Sequence, residues 1–479
     1  MISLLIGLAV LVGGYFAYGM IVEKIFGTDA ARPTPAKTMA DGIDFIEMPA
    51  WRVFLIQFLN IAGLGPIFGA IMGVMFGPAA FLWIALGSIF AGAVHDFVSG
   101  MISLRSGGIS LPEIVGRQLG GAVKMFMRGV SILLLILVGA VFIRTPAGLL
   151  AAMTPEWATA TVWMVAIFAY YLLATLLPID KLIGRIYPVF GLALLFMAGA
   201  LMVVLLSGSY PIPDGFADGL YNRHSDAEST PLFPVLFVTI ACGAISGFHA
   251  TQSPMMARCM GSERMARPIF YGAMVAEGIV ALIWAAAAIA FTGGYAELNS
   301  YMADGHTAGD LVHDISVGWL GVVGGALAIL GVVAAPITTG DTALRSARLI
   351  VADMLGMSQR SIWRRLAVSV PLFAVTAGFM MIDFQVLWQY FGWTNQLLAT
   401  ITLWACAAYL MRRGKAYAIC LVPAMFMTVV VTSYIMVAPE GLSLPAGPAL
   451  ITGLTVMTVL TALFARYRIV RRVIENDPA

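Results

Sequence analysis

Charge is what this sequence has least of. Asp, Glu, Lys and Arg together make up 11% of its 479 residues, against roughly 25% in soluble domains. With 60% of the chain hydrophobic, that scarcity excludes a soluble enzyme. The 27 Lys and Arg nearly balance the 25 Asp and Glu, so no basic excess exists to hold a polyanion, and nucleic acid is not an expected partner. Cysteine is also rare. Cys242, Cys259, Cys406 and Cys420 lie in or beside apolar segments with no CxxC spacing, which leaves neither a disulfide framework nor a zinc site and makes them packing residues. No HExxH motif is present, and the longest polar stretches (27–52, 208–232 and 293–316) are too short for a separate soluble domain.

What fills the chain instead is a succession of apolar runs. A bilayer core about 30 Å thick needs about 20 apolar residues as helix. Windows of that kind fall at 2–26, 53–76, 79–104, 129–150, 158–177, 186–207, 233–254, 269–292, 317–340, 366–382, 384–411, 416–437 and 448–465. The first has no basic segment before it and no small-residue cleavage site, and reads as a retained helix. Basic residues gather on the cytoplasmic side of membrane proteins. With these spans, every Lys and Arg except Arg144 and Arg223 falls on one side, while the opposite loops carry Asp214, Asp218, Asp226, Glu228, Glu297, Asp304, Asp310 and Asp314. The alternation predicts about thirteen transmembrane helices, N-terminus outside and C-terminus in the cytoplasm.

Two spans are broken by Gly and Pro. The second reads Asn60-Ile-Ala-Gly63-Leu-Gly65-Pro66, and the seventh reads Cys242-Gly243-Ala-Ile-Ser246-Gly247-Phe248-His249-Ala-Thr251-Gln252-Ser253-Pro254. Freed backbone groups survive in hydrocarbon only where protein, water or a ligand supplies partners. The two broken spans start five helices apart and enter from opposite sides, so the pattern predicts two five-helix units in inverted orientation. Interrupted helices in matching positions of inverted halves are the best sequence pointer to a midplane substrate site. The expected organisation is an extra N-terminal helix at 1–26, repeats at 53–207 and 233–411, two C-terminal helices at 416–465 and a basic tail at 466–479.

Ionisable residues within spans are costly and usually face a cavity or a partner. His95, Asp96, Arg144, His249 and Glu277 stand out. Arg144 can clamp a substrate carboxylate through two parallel hydrogen bonds, or tie helices together through Asp96 or Glu277. His249, just after the break, suits proton exchange, and would otherwise be a hydrogen-bonded packing residue. Asn395 and Gln396, beside Trp388 and Trp393, offer amide groups to a solute. The ninth span ends on Pro336-Ile-Thr338-Thr339-Gly340-Asp341. By analogy with ten-helix transporters of the LeuT type, Thr338 and Thr339 would hold Na⁺ together with carbonyls near Ala62 and Gly63; otherwise the hydroxyls bond their own helix.

At these same motifs the sequence resembles the carbon starvation protein A (CstA) family of bacterial inner-membrane proteins. The resemblance runs through LNIAGLGPIFGAIMG from Leu59, GAVHDFVSG from Gly92, GAISGFHATQSPM from Gly243, PITTGDTALRSAR from Pro336 and FGWTNQLLA from Phe391. It implies a carrier importing peptides or pyruvate, driven by a cation gradient, and agrees with the inverted units. The combined expectation is an all-α, LeuT/APC-like secondary transporter of a small carboxylate-bearing substrate, with no cofactor and with H⁺ or Na⁺ as coupling ion. Substrate contacts are expected from Asn60, Gly63, Gly65, Arg144, Ser246, Gly247, His249, Thr251, Gln252, Asn395 and Gln396. Ion coupling is expected from His95, Asp96, His249, Glu277, Thr338, Thr339 and Asp341. The competing reading is a nutrient receptor without net transport; an intramembrane metalloenzyme would require bound metal.

Overall fold

The computed structural model describes residues 1–476 apart from 43, 176–178, 214, 217, 218 and 360. The expected acidic loop residues Asp214 and Asp218, and the end of the basic tail, lie outside the described residues. Among these the chain is helical, with one isolated bridge between Met48 and Met260. Among the described residues nine helices are long and apolar enough to cross a membrane, or ten when a bent pair is taken as one span.

In chain order the main elements are α1 (Ile2–Phe26), α2a (Ala50–Ile61) with α2b (Gly65–Val74), and α3 (Ala79–Arg105). An amphipathic surface helix α4 (Leu111–Leu119) leads to α5 (Gly121–Met153), α6 (Ala160–Ala174) and α7 (Ile179–Leu206). The chain continues with α8a (Leu232–Thr239), α8b (Gly247–Ala257) and α9 (Glu263–Thr292). A short α10 (Tyr295–Ala303) precedes α11 (Ala308–Leu355), α12 (Ile362–Phe379), α13 (Phe384–Arg412), α14 (Ala418–Val437) and α15 (Ala446–Asn476).

The breaks fall where Gly and Pro predict them. Between α2a and α2b the axis bends by 46°, and Pro66, which has no N–H to lose, sits in the first turn of α2b where none is needed. Between α8a and α8b the chain is non-helical from Ile240 to Ser246. The interrupted helices lie in the centre: α2b packs on α9, and α8b packs on α2a, α3 and α13. Around them α5 and α11 pack along their lengths, and α2a also leans on α7 and α11.

One boundary differs from the hydropathy reading in a way that matters for the site. The expected span 317–340 is part of a 48-residue helix that kinks at Gly321 and continues to Leu355. Thr338, Thr339 and Asp341 therefore stand in a helix interior and not at its end. Hydropathy closes the span early because Asp341, Arg345 and Arg348 follow, yet all three are buried, and the two arginines donate to the carbonyls of Ala174 (2.7 Å) and Thr175 (3.0 Å) at the end of α6. The helix-end carbonyls that accept from them stabilise their charge in the interior, so it does not stop the helix.

Candidate functional site at the crossing of the broken helices

The two interruptions touch. A Cβ at Gly65 would stand 2.2 Å from the Cβ of Cys242, so only glycine permits this approach. Gly243 has φ +86°, a left-handed conformation that favours glycine, and a Cβ there would stand 2.8 Å from that of Ala281. The peptide groups freed at the break are taken by side chains. The Gly243 N–H donates to Glu277 Oε1 (3.1 Å), and its carbonyl accepts from Ser88 Oγ (2.7 Å).

Asn395 and Gln396 serve the same end. Asn395 Oδ1 accepts from the Phe248 N–H (2.8 Å) and from Ser246 Oγ (3.1 Å), capping the start of α8b. Gln396 Nε2 donates to the carbonyls of Phe237 (3.0 Å) and Ala241 (3.5 Å), closing the end of α8a. The amide pair expected to face solute instead braces the two halves of α8, because each helix end leaves unpaired backbone groups that need partners in an apolar surrounding.

Behind the crossing lies a chain of ionisable groups, all fully buried. Asp96 Oδ1 binds His95 Nδ1 (2.7 Å), and Asp96 Oδ2 binds His249 Nδ1 (2.8 Å). His249 Nε2 stands 3.3 Å from Glu277 Oε2, close but out of line for a hydrogen bond. Adjacent in sequence, His95 and Asp96 both join this single chain. Each carboxylate helix carries a wide π-turn on its N-terminal side, Ser88–Gly92 before Asp96 and Arg267–Tyr271 before Glu277. Such turns shift a helix face locally and recur at functional sites. An ionised carboxylate only accepts, so Asp96 fixes a proton on His249 Nδ1 and leaves Nε2 and Glu277 to share or lose the next one.

Cys242 Sγ, a His249 nitrogen and a Glu277 oxygen lie within 4.8 Å of one another. Bonds of about 2.0–2.3 Å would bring the ligands of a four-coordinate ion to about 3.3–3.8 Å apart, so the spacing is loose for a metal. The arrangement suits a proton better. Sequence reasoning took Cys242 for packing; its place between the breaks is visible only once Gly65 is seen against it.

Thr339 Oγ1 lies 3.2 Å from the Leu59 carbonyl at the end of α2a and 2.7 Å from its own helix at Ala335. The expected meeting of this hydroxyl with the first break occurs one turn earlier than Ala62 and Gly63, although a Cβ at Gly63 would lie 3.3 Å from the same oxygen. The Thr338 hydroxyl donates back to the carbonyls of Ala334 (3.0 Å) and Ala335 (2.9 Å) of its own helix. Asp341 accepts from Tyr187 Oη (2.6 Å), on the face toward α7. Thr251 bonds back to Phe248 (2.6 Å), and Gln252 reaches Ser346 on α11 (3.4 Å). Asn60 Oδ1 accepts from Thr342 Oγ1 (3.3 Å).

Arg144 is not brought into this group. Its guanidinium donates to the Ile382 carbonyl and lies 5.5 Å from the Phe384 ring centre, at the turn between α12 and α13. Its pairing with Asp96 or Glu277 does not occur: Asp96 is held by two histidines, and Glu277 by the Gly243 amide with His249 beside it. Phe384 in turn lines a cavity of about 540 Å³ bounded by α2b, α8a and the start of α13, with Phe68, Met72, Val238 and Trp388 in its walls. A narrow cleft lined by Gly65, Cys242, Trp388 and Phe391 lies below, sharing Val238, Thr239, Trp388 and Gly392 with the larger space. Cys242 is thus the junction between vestibule and buried chain.

The sequence profile of the family described as Carbon starvation protein CstA matches residues 1–166, 151–321 and 305–434. Among relatives, a membrane protein of Haemophilus influenzae is 44% identical over 59% of this chain and 89% of its own. The peptide transporter CstA of Campylobacter jejuni is 27% identical over 87% of this chain and 77% of its own. The pyruvate/proton symporter BtsT of Escherichia coli is 30% identical over 58% of this chain and 48% of its own. In solved structures the fold is similar to that of a Na⁺-coupled sialic acid symporter in a substrate-bound outward-open state (16% identity, 95% of this chain, 96% of that chain, TM-score 0.52). It is also similar to the manganese transporter of Eremococcus coleocola (11% identity, 91% and 99%, TM-score 0.51).

Proposed function

Because the chain belongs to the carbon starvation protein CstA family, we propose that it is a cation-coupled secondary transporter, importing peptides, pyruvate or both across the bacterial inner membrane by alternating access. The observation that carries this reading is the contact of two interrupted helices at Gly65 and Cys242, with a buried acid–imidazole–acid chain directly behind it. A rigid enzyme or scaffold has no need of unwound helices in a membrane. A carrier needs peptide groups that can exchange partners there. The relatives named as transporters, and the likeness in fold to coupled symporters, support the same class.

In this reading α2 to α7 without the surface helix α4, and α8 to α13 without the short α10, are two inverted five-helix units. α1 precedes them, α14 and α15 follow, and the total is thirteen spans with the basic side in the cytoplasm. The coupling ion is a proton carried between His249 and Glu277. Asp96 orients the ring, and the name of the pyruvate/proton symporter relative is in keeping with this. A second reading, Na⁺ held by Thr339 and a carbonyl at the end of α2a, is favoured by the 3.2 Å approach of Thr339 Oγ1 to the Leu59 oxygen.

The test is uptake of labelled pyruvate and of a labelled dipeptide into proteoliposomes, with proton and sodium gradients imposed separately. The proton reading expects accumulation under a proton gradient. It further expects that Asp96→Asn abolishes uphill accumulation while exchange of labelled for unlabelled substrate continues, with Thr339→Val retaining accumulation. Uphill transport driven by sodium alone, lost in Thr339→Val, would move the coupling site to α11. Substrate binding with no counterflow under any gradient would leave a receptor.

A further inference from the structure

The transport reading leaves unexplained a second polar group on the opposite side of the crossing from the vestibule. Of the broken helices the vestibule takes α2b and α8a, with α10 and the first residue of α11 beside them; this group sits on α2a, α8b and the middle of α11 at Thr342 and Ser346. Asn60 on α2a is joined to Thr342 on α11 (3.3 Å), and Gln252 on α8b is joined to Ser346 on α11 (3.4 Å). Thr342 and Ser346 are one helical turn apart, as are Gln57 and Asn60, so the residues form one junction of three helices. Gln57, Asn60 and Gln252 are all fully buried. Yet among the described residues Gln57 Nε2 and Oε1, Asn60 Nδ2 and Gln252 Oε1 have no hydrogen-bond partner.

Bare buried carboxamide atoms are expensive, and native proteins carry few of them. Four on three neighbouring side chains, in the halves of the broken helices that the vestibule does not touch, form a set of unspent bonds. The set is mixed: Gln57 Nε2 and Asn60 Nδ2 donate, Gln57 Oε1 and Gln252 Oε1 accept. Turning the Gln57 amide by half a revolution changes nothing, because both of its ends are bare. A ligand that satisfies the junction must therefore present donors and acceptors together. A peptide group does so, its C=O to Nε2 and its N–H to Oε1, and an ammonium group adds further donors. A 2-oxo acid anion has only acceptors and leaves both amide oxygens bare.

Resting on the transport reading, we propose that Gln57, Asn60 and Gln252 form an inner binding station for an amide-bearing solute, taken up through paired carboxamide hydrogen bonds once it has passed the crossing. The station sets a preference for peptides over 2-oxo acids at that step.

The test uses the purified full chain and two probes, labelled dialanine and labelled pyruvate, measured by equilibrium binding as well as by uptake. Gln57→Met keeps the shape of the side chain and removes both bare amide ends. It is expected to melt no lower than the parent, since it deletes an unsatisfied buried group, and to weaken dialanine binding at least tenfold while pyruvate binding changes less than twofold. Gln57→Glu, which keeps an acceptor and loses the donor, is expected to fall between. Dialanine affinity within twofold of the parent in Gln57→Met would overturn the station and leave its amides to water alone, as would absence of dialanine binding by the parent. Binding with the expected pattern but no accumulation in liposomes would instead remove the transport reading and leave the station standing.

Discussion

Adding a single methyl group at Gly65 tests the contact on which the mechanism depends. A Cβ there would lie 2.2 Å from Cys242 Cβ and 2.4 Å from Cys242 Sγ, whereas non-bonded carbon atoms rest at about 3.5–4.0 Å. The crossing must open by about 1.5 Å to admit it, and overpacking of this kind costs about 1–3 kcal/mol. At about 2 kcal/mol the tightly crossed arrangement is depopulated about thirtyfold. Neither partner can yield by rotating a flexible side chain, since the nearer atom is a Cβ fixed to the backbone at Cys242. Gly65→Ala is therefore expected to lower the melting temperature of the purified protein and cut counterflow by more than tenfold. Cys242→Gly removes the obstructing atoms. The double variant Gly65→Ala/Cys242→Gly is then expected to recover most of the loss, which a double-mutant cycle reads as coupling well above the few tenths of a kcal/mol of independent sites. Loss in Gly65→Ala that Cys242→Gly fails to relieve would show that the two breaks do not meet, and Gly65→Ala with parental stability and counterflow would refute the close crossing outright.

The two breaks were legible in the sequence because their cause is local: each Gly of Gly63-Leu-Gly65-Pro66 and Cys242-Gly243 costs a helix about 1 kcal/mol relative to Ala, and Pro66 removes a helical donor. The burial of His95, Asp96, His249 and Glu277 was legible for the same reason, since a charged residue inside an apolar run shows itself without a partner. Which of them meet was not. Asp96 and His249 are 153 positions apart, and Arg144 looks no different from them in its own span, yet its guanidinium turns to the Ile382 carbonyl. Asn395 and Gln396 illustrate the converse error. Polar residues in an apolar helix were read as facing solute, but the nearest unsatisfied groups belong to the ends of α8a and α8b, created by the very break the sequence disclosed. Gln57 escaped notice because one amide in the middle of an apolar helical run is unremarkable until its burial is known. The early end assigned to α11 has a single origin: hydropathy counts Arg345 and Arg348 as solvent-facing, and cannot see the carbonyls of α6 that hold them.

The geometry around Arg144 changes what its removal should do. With the guanidinium bonded to the Ile382 carbonyl and set against Phe384, Arg144→Ala is expected to leave the apparent KM for pyruvate and for a dipeptide within about twofold. It should lower stability by about 1.5–3 kcal/mol, the scale of a charged hydrogen bond; selective loss of carboxylate-bearing substrates would restore it as the anchor. The last expectation concerns the basic surface, where Glu113 on α4 pairs with Lys124 (2.6 Å) and Arg128 (2.8 Å) of α5. Partial burial raises the Glu113 pKa, but the two cations outweigh it and hold the carboxyl below its ordinary value. A carboxylate whose folded-state pKa is depressed stabilises the protein above its unfolded value of about 4.3, and that contribution disappears as the pH falls through the folded value. The side chain keeps 26% of its exposure, so solvent screening limits the effect to about 1 kcal/mol. Melting curves of the parent and Glu113→Gln should thus differ at pH 7 and converge as the pH is taken well below 4. Differences that persist unchanged at the acid end would mean that Glu113 acts through packing of α4 against α5, because a glutamine of nearly equal shape would then fail for a reason unrelated to charge.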